Sequence, residues 1–433
     1  MVAALLFSMK LSCLGACREI GRSSFLLEDD ARQSILLDCG IKQRKQNLPP
    51  LEPPLKPTAV ILSHSHLDHC GGLPIPFKHG NPSLFCTPPS AEIAEVLLED
   101  TLKIARQENI PASYSKADMK KALTAVSVIP FEKETKLEGG TSFEFFDAGH
   151  ITGSSQVLLR CKKNGKRFNF LYSGDFNTRQ TQLQESALPP AEKIDCLLVE
   201  STYAGREHPS RQRVEKEFAQ AVQDAVDDGG TVLVPCFAVE RTAEILMVLN
   251  RASLSAPVYL DGLGQRICGI MRGHPDYVRN YDAMLASFER ARFVEDRPTR
   301  RKIAEEPCVI IATAGMLEGG PALDYLQKIN EGKRSNAVFL TGYQVKGTNG
   351  NRLATEGKIK TKKGTIAINI ALKQFDFSAH AAHADLVEYV KETNPGKVFC
   401  VHGDQDACQT LAQALAEEGF DAQAPENGQE IRL

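Results

Sequence analysis

His64-Ser65-His66-Leu67-Asp68-His69 is the stretch that decides the fold, because it holds four metal-binding side chains within six residues. The run follows the apolar residues 58–62, so it lies in the loop that ends a short buried strand. Alternate residues of an extended loop point the same way, which lets His64 and His66 ligate one ion while Asp68 and His69 turn toward a second. Imidazole and carboxylate groups are common ligands of Zn²⁺. The run alone therefore predicts a metal-dependent hydrolase and supplies about half of its site.

Other short apolar strands also end in a residue that can bind a metal or carry a proton. Neighbouring strands bring their ends to one edge of a sheet, so we expect these residues to meet in one cleft. Taken singly, each has an ordinary alternative, such as a core histidine with a hydrogen-bond partner or an aspartate in a turn. The strands and the residues that follow them are 34–37 with Asp38, 143–146 with His150, 168–172 with Asp175, 196–199 with Glu200, and 397–401 with His402.

The pattern of the chain changes near residue 205. Between residues 214 and 226 an apolar residue recurs every four positions, which predicts a helix with one buried face. Strands and helices then alternate, the order typical of a parallel sheet covered on both faces. The sequence therefore predicts an α/β protein whose sandwich domain, residues 1–204 and 377–433, is interrupted by a parallel α/β domain, residues 205–376.

The composition limits what the chain binds and where it acts. With 51 basic and 54 acidic residues the net charge is −3, which excludes a surface that is basic throughout but allows a basic cleft. Twelve cysteines without a Cys-x-x-Cys pair predict reduced thiols and a cytoplasmic protein. No apolar run reaches the ~18–20 residues of a membrane span, and the apolar residues 1–7 lack the basic start of a signal peptide. The natural chain could begin at Met1 or at Met9.

The combined motifs resemble those of a known group of enzymes. The run at residues 64–69, with Asp38, Ala-Gly-His150 and Ser-Gly-Asp175, resembles the motif series of the metallo-β-lactamase superfamily. Three further motifs, Glu200-Ser-Thr-Tyr, Phe-Ser-Ala-His380 and Val-His402-Gly-Asp, resemble its β-CASP subgroup of nucleic-acid nucleases. The likeness spans nearly the whole chain and is closest to bacterial and archaeal ribonucleases related to the cleavage and polyadenylation specificity factor nuclease subunit. It implies an αββα metallo-β-lactamase sandwich with an inserted parallel α/β (β-CASP) domain.

The resemblance also assigns ligands for two Zn²⁺ ions. Two such ions activate a water molecule, and the resulting hydroxide attacks a phosphodiester. Asp38 is expected behind the ligands, where it holds a histidine in the right tautomer. The implied ligands are His64, His66 and His150 for one zinc, Asp68, His69 and His402 for the other, and Asp175 as a bridge between them.

The resemblance implies three catalytic residues as well. Asp68 orients the attacking hydroxide besides binding zinc. His380, paired with Glu200, gives a proton to the leaving oxygen, since a carboxylate behind an imidazole keeps it protonated near neutral pH. One departure stands out, because relatives often carry an aspartate soon after the histidine of Phe-Ser-Ala-His, whereas Ala381-Ala382-His383 follows here. We expect His383 to be a surface or supporting residue.

RNA is the substrate that the resemblance implies, because DNA-directed members tend to have valine at the position of His402. The inserted domain is expected to cover the cleft. A covered cleft admits a single strand more easily than a duplex, which favours single-stranded RNA. Endonucleolytic cleavage is the first expectation, with 5′-to-3′ exonuclease action or a DNA nuclease as alternatives. A thioester or lactam hydrolase and a non-catalytic RNA-binding scaffold are weaker alternatives, and we expect a monomer or weak homodimer.

Glycine-rich loops are candidates for holding phosphates, since glycine lets main-chain N–H groups approach an anion. In the loop 342–348 the candidates are Lys346, Gly347 and Thr348, and a second loop, 314–321, opens a helix. Ser378, next to His380, is a further phosphate candidate. An ordinary tight turn is the alternative for each loop. Arg241 fits substrate contact and structural pairing equally well.

Overall fold

The computed structural model describes residues 9–42, 47–252, 254–332 and 335–433. The apolar start predicted at residues 1–7 lies outside the described residues. Two compact units divide the chain, and the predicted domain bounds at 204/205 and 376/377 stay a prediction. The first unit comprises the residues up to 180, 185–207 and 379–433, and the second comprises 181–184 and 208–378.

The helices and strands are numbered along the chain. Up to residue 207 they are β1 (Lys10–Gly15), β2 (Ser24–Glu28), β3 (Ser34–Leu37), β4 (Ala59–Ile61), α1 (Leu67–Cys70), β5 (Ser83–Cys86), α2 (Pro88–Gln107), α3 (Lys116–Thr124), β6 (Val126–Val128), β7 (Thr135–Lys136), β8 (Ser142–Asp147), β9 (Ser155–Lys163), β10 (Lys166–Tyr172) and β11 (Cys196–Glu200). Then follow α4 (Arg211–Asp227), β12 (Thr231–Pro235), α5 (Arg241–Arg251), β13 (Val258–Asp261), α6 (Gly264–Met271), α7 (Tyr281–Arg290), β14 (Arg292–Phe293), α8 (Arg297–Ile303), β15 (Cys308–Ala312), α9 (Gly320–Asn330), β16 (Ala337–Thr341), α10 (Asn349–Glu356), β17 (Lys358–Thr361), β18 (Gly364–Ala367) and β19 (Ala371–Phe375). The last part of the first unit contributes α11 (His383–Thr393), β20 (Val398–Val401), α12 (Gln405–Glu417), β21 (Ala422–Gln423) and β22 (Glu430–Arg432).

The first unit is built on two sheets of seven strands, in the orders β22-β1-β2-β3-β4-β5-β6 and β21-β20-β11-β10-β9-β8-β7. One apolar core contains residues from both sheets, including Phe25 and Phe143, so the sheets pack face to face. A second core joins the outer face of the second sheet to α11 and α12 through Leu386 and Leu411. The helices α2 and α3 pack together through Leu98 and Met119. This arrangement is the predicted αββα sandwich.

The second unit contains a parallel sheet of six strands in the order β14-β13-β15-β12-β16-β19. Helices cover the inner strands β12, β15 and β16, which are apolar and buried throughout. The stripe predicted between residues 214 and 226 is the buried face of α4. A separate antiparallel hairpin, β17 with β18, lies on the core that holds Ile359. The prediction of an α/β fold is confirmed.

The predicted strand ends are also observed, with two local differences. Glu200 is the last residue of β11 and does not follow the strand. Asp68 and His69 lie on the short helix α1, where an extended loop was expected. The helix forms because the backbone N–H groups of His69 and Cys70 both bond the carbonyl of His66, at 2.9 and 2.8 Å. The rings of His64 and His69 lie 4.0 Å apart between centroids, so this turn keeps His69 close to His64.

The predictions made from composition have structural counterparts. All twelve cysteines are free and buried, which agrees with the predicted reduced thiols. Among the described residues, the groups whose side chains could jointly hold a metal contain no cysteine. Within the same described residues, no helix is both long enough and apolar enough to cross a bilayer.

Candidate metal centre

The first unit brings the predicted metal ligands together from four separate segments of the chain. They fall into two groups whose ligand atoms lie within 4.8 Å of one another, and a third group overlaps both. The groups are His64, His66, His150 and Asp175; Asp68, His69 and His402; and Asp175, Glu200 and His402. The first two groups have the membership that the resemblance implied, while the binding of metal by each residue stays a prediction.

Several ring nitrogens in this cluster face one another. His150 Nε2 lies 3.1 Å from His66 Nδ1, and His69 Nε2 lies 3.3 Å from His402 Nε2. His64 Nε2 is buried and has no hydrogen-bond partner among the described residues. Two neutral imidazole nitrogens that both point lone pairs inward repel each other, whereas a cation between them is attracted to both. The donor set therefore fits a metal centre.

Burial keeps the ligands of the first group in the form that binds metals. It lowers the pKa of His66 to about 4 and the pKa values of His64 and His150 well below the usual range. Only neutral imidazole offers a lone pair to an ion. These three side chains are therefore ready to bind without first losing a proton at neutral pH.

Asp175 contacts members of both groups. Its Oδ2 lies 3.3 Å from His69 Nε2 and 3.6 Å from His64 Nε2, and its Oδ1 lies 3.0 Å from His402 Nδ1. Burial opposes its charge, but the nearby His402 and His69 hold the pKa of this carboxyl well below its usual value. A carboxylate whose Oδ2 lies near members of both groups has the position of a bridging ligand.

Asp38 supports the cluster from behind. It is fully buried, and its Oδ2 accepts hydrogen bonds from His69 Nδ1, Ser63 Oγ and Tyr172 Oη, each at 2.7 Å. Its Oδ1 accepts from the backbone N–H of Ser63 at 2.7 Å. The bond to His69 fixes the tautomer that leaves Nε2 free to face the cluster. The role predicted for Asp38 thus has a geometric basis in this structure.

Backbone geometry places these groups as well. Asp38 has φ of +57°, the left-handed conformation that aspartate and asparagine tolerate better than most residues. Gly40 lies so close to α1 that a Cβ there would come 1.7 Å from the carbonyl oxygen of Asp68. Gly149, with φ of +63°, leaves no room for a Cβ beside the carbonyl of Asn177. Substitution at either glycine would displace a predicted ligand.

The predicted proton donor lies beside the first group. The rings of His380 and His150 are 4.5 Å apart between centroids. His380 Nδ1 is 2.9 Å from Glu200 Oε1, and the same carboxylate accepts from the backbone N–H groups of Phe176 and Thr202. Burial by itself would lower the pKa of His380, but Glu200 raises it to about 9. His380 therefore carries a proton at neutral pH and presents Nε2 away from Glu200.

Three supporting residues were not predicted from the sequence. Ser63 and Tyr172 bond Asp38, and the hydroxyl of Thr202 lies 3.2 Å from His402 Nδ1. Tyr172 gave a usable signal, since it ends a buried apolar strand, and a buried tyrosine hydroxyl usually finds a hydrogen-bond partner. Ser63 and Thr202 gave none, because their partners come from distant segments.

The predicted phosphate-binding residues lie in the second unit. Lys346 and Gly347 are exposed, and Gly347 has φ of +89°. Thr348 caps α10, because its hydroxyl accepts from the N–H of Asn351 and donates to the carbonyl of Val345. That hydroxyl is already engaged within the loop.

The remaining candidates are Ser378 and Arg241 in the second unit and His383 in the first. In the second unit, Arg211 donates to the carbonyl of Ser378, and both Arg211 and Arg241 lie over the ring of Phe377. In the first unit, His383 is half-buried at the start of α11, and its backbone N–H donates to the backbone carbonyl of Arg206. Arg241 thus has an aromatic neighbour inside its own unit.

Family models match three consecutive parts of the chain. The model described as "Metallo-beta-lactamase superfamily" matches residues 18–194. The "Beta-Casp domain" model matches residues 242–353, and the "Zn-dependent metallo-hydrolase RNA specificity domain" model matches residues 365–425. The second and third matches follow the first along the chain in the order that the resemblance implied.

Curated relatives match along nearly the whole chain. "Probable RNase MJ4" of Methanocaldococcus jannaschii is 35% identical over 98% of this chain and 100% of its own length. "RNase aCSPSF2" of Saccharolobus solfataricus is 35% identical over 98% of this chain and 85% of its own length. "Transcription termination factor FttA" of a Lokiarchaeum species is 33% identical over 94% of this chain and 69% of its own length.

A solved structure agrees with the fold. A protein of unknown function from Enterococcus faecalis superimposes with a TM-score of 0.60 over 99% of this chain and 100% of that chain, at 13% identity. That likeness concerns the fold alone. The relatives of 35% identity over nearly full length, together with the three family matches, place the family: the chain belongs to the metallo-β-lactamase superfamily, among its members that carry a Beta-Casp domain.

Proposed function

We propose that the chain is a zinc-dependent ribonuclease that hydrolyses phosphodiester bonds of single-stranded RNA, cuts endonucleolytically, and serves RNA processing or decay. The observation that carries the proposal is the His380–Glu200 pair beside the metal cluster. Hydrolysis of a phosphodiester leaves an alkoxide that needs a proton, and the pair offers one. A thioester or lactam hydrolase of the bare fold would not need an RNA specificity domain.

RNA as the substrate has two supports. Two of the relatives carry RNase in their names, and one of the matched models is an RNA specificity domain. His402 stands where DNA-directed members of the group tend to have valine, and here it lies in the second ligand group. The remaining phosphate candidates, Lys346, Gly347 and Ser378, are proposed to bind backbone phosphates.

Two zinc ions are proposed, held by the two ligand groups and bridged by Asp175. Zinc ions in such a site supply Lewis acidity at the phosphoryl oxygens and lower the pKa of a nearby water. About 30% of the Asp68 side chain is accessible, and we assign it the orientation of the attacking water. Asp38 holds His69 in its binding tautomer.

His380 is assigned the transfer of a proton to the leaving ribose oxygen. Its Nδ1–H faces Glu200, and we assign the transferred proton to the other ring nitrogen, Nε2. About 20% of the side chain is accessible, so a substrate oxygen can reach it. Glu200 touches the donor and not the substrate, so it is a positioning residue.

The mode of cleavage is tested by comparing a circular RNA with a linear 5′-phosphorylated RNA of the same sequence. An endonuclease linearises the circle at a rate similar to the cleavage of the linear form. Failure to cut the circle, with the linear RNA shortened from its 5′ end, would replace the endonuclease proposal by a 5′-exonuclease. Cleavage of single-stranded DNA at the same rate as RNA would contradict the assignment of RNA.

The preference for unpaired RNA needs its own substrate pair. A perfect duplex and the same strand without its complement are digested in parallel, with zinc supplied. We expect the single strand to be cut preferentially. Equal rates on both substrates would count against single-stranded RNA as the substrate class.

A further inference from the structure

A strongly basic surface lies in the second unit, on the hairpin of β17 and β18, which we call the lysine hairpin (residues 358–367). The stretch 346–373 holds seven basic residues and one acidic residue, in a chain whose net charge is −3. The reaction proposed above assigns no role to the hairpin. A surface so unlike the rest of the chain in charge points to an anionic partner.

The fold of the hairpin turns its lysines outward. Ile359 is fully buried, and its strand partner Ile366 packs against the same apolar core. Successive side chains of a strand point to opposite faces. Burial of Ile359 therefore directs Lys358 and Lys360 to the other face, and both are exposed.

The turn of the hairpin adds two more exposed lysines, Lys362 and Lys363. The turn is fixed by Thr361, whose hydroxyl accepts from the N–H of Lys363 at 3.2 Å and donates to the carbonyl of Gly364 at 3.0 Å. Gly364 has φ of +127°, a conformation that residues with a Cβ rarely adopt. The four lysines thus project from an ordered backbone.

Asn349 joins the hairpin to the loop that carries Lys346. Its Nδ2 donates to the carbonyls of Lys360 at 2.9 Å and Leu317 at 3.0 Å, and its Oδ1 accepts from the N–H of Lys360 at 2.7 Å. Asn349 is itself buried. Lys346 lies three residues before Asn349 and is exposed, so this loop also brings a lysine to the surface of the second unit.

We propose that the lysine hairpin binds the phosphate backbone of the RNA at nucleotides outside the bond that is cut. This inference rests on the proposed ribonuclease function. Lysines two positions apart on a strand are separated by about 6.6 Å, so the hairpin presents a row of positive charges that can neutralise backbone phosphates. Lysine binds phosphate as a point charge and does not read bases. The hairpin therefore adds affinity and salt dependence without sequence selectivity.

The test compares three charge variants in the full-length protein. The first replaces the four hairpin lysines by glutamine, and the second replaces them by arginine, which keeps the charge. The matched control replaces four exposed lysines of the first unit by glutamine, so that the net charge changes equally. The hairpin positions are Lys358, Lys360, Lys362 and Lys363, and the control positions are Lys116, Lys120, Lys133 and Lys136.

The measurement is the affinity for a labelled, cleavage-resistant 2′-O-methyl RNA as a function of salt. We expect the slope of log Kd against log salt to become shallower by ~0.7 for each phosphate that the glutamine variant no longer neutralises, about 2 to 3 in all. The arginine variant and the control should keep the wild-type slope. Hydrolysis of bis(p-nitrophenyl) phosphate, which has no phosphate besides the one that is cut, should be the same in every variant.

Two results would overturn the proposal. A glutamine variant that binds with the wild-type slope shows that the hairpin does not bind RNA, while cleavage of RNA by the wild type leaves the proposed function standing. If the arginine variant also binds RNA more weakly than the wild type, the effect comes from the shape of the side chains and not from their charge. If the wild type hydrolyses bis(p-nitrophenyl) phosphate but neither binds nor cuts RNA, the proposed function itself fails. Should the fourfold glutamine variant not fold, the double change at Lys362 and Lys363 gives the same test with half the expected effect.

Discussion

Replacement of Asp38 by asparagine tests the support behind the metal cluster most directly. Asparagine keeps the size of the side chain and tolerates the φ of +57° found there, so the backbone is not strained. The three donors that reach Oδ2 require an acceptor, so the amide group of the new side chain must face the N–H of Ser63, which bonds Oδ1 at 2.7 Å. One buried hydrogen bond is removed and three no longer have a charged acceptor. The exchange therefore changes hydrogen bonding while leaving shape almost constant.

The expected effect is worked from these bonds. An unsatisfied buried donor costs about 1–3 kcal/mol, and bonds to a neutral acceptor are weaker than bonds to a carboxylate. We expect the free energy of unfolding of the metal-free protein to fall by roughly 2–4 kcal/mol. Because Asp38 also fixes the tautomer of His69, zinc affinity should fall by about 10- to 100-fold.

Two variants calibrate the measurement. Tyr172→Phe removes one donor to Asp38 and leaves the carboxylate its other three bonds, so a cost of about 1 kcal/mol is expected. Asp282→Asn, at an exposed site in α7, is the matched control and should change neither quantity. Urea unfolding gives the stability, and competition with a chromogenic chelator gives the zinc affinity. Wild-type zinc affinity in Asp38→Asn, together with reduced stability, would refute a role in orienting His69 and leave Asp38 a purely structural residue.

Three further predictions follow from the site and its surroundings. His380→Gln should lower single-turnover RNA cleavage by about 10²- to 10⁴-fold with zinc content unchanged, and a wild-type rate would exclude His380 as the proton donor. Treatment with EDTA should abolish cleavage and added zinc should restore it, whereas persistent activity in a protein shown to be free of metal would reject metal dependence. Asn349→Ala should lower the free energy of unfolding by about 2–3 kcal/mol, since it removes three hydrogen bonds made by the Asn349 side chain, and an unchanged unfolding curve would mean that the hairpin is held by other interactions.

The parts of the site that the sequence predicts are those encoded in short segments. The run at residues 64–69 is visible because its ligands lie next to one another. His150 and Asp175 are visible because each follows a strand of four to six apolar residues. The grouping of the ligands could be named in advance only through the family resemblance, since nothing local says that His402 lies 3.3 Å from His69.

The parts that the sequence does not predict depend on register and on long-range pairing. Tyr172 reaches Asp38 only because β10 and β3 lie in facing sheets at matching heights. The Asn349 side chain forms hydrogen bonds with the backbone of Lys360 in β17. Neither residue type nor spacing in the sequence indicates this pairing. The lysine hairpin has alternating apolar and basic residues and a Lys-Lys-Gly turn, which is a strand pattern that the sequence contains. Which face of the hairpin points to solvent is known only from the structure, where Ile359 is buried.

Without a metal, the buried ligand cluster lowers the stability of the folded protein. The proposed zinc ions would therefore stabilise the first unit. His66 and His150 point ring nitrogens at each other at 3.1 Å, and His64 Nε2 is buried without a hydrogen bond among the described residues. A buried nitrogen such as His64 Nε2 costs about 1–3 kcal/mol when it is left unsatisfied. A cation between the rings converts the same approach into attraction, so the first unit should be more stable with zinc than without it. At a zinc concentration of 100 times its Kd the gain from mass action is ~2.7 kcal/mol, enough to offset that cost. The same geometry that prepares the residues for chemistry thus couples the stability of the first unit to the metal.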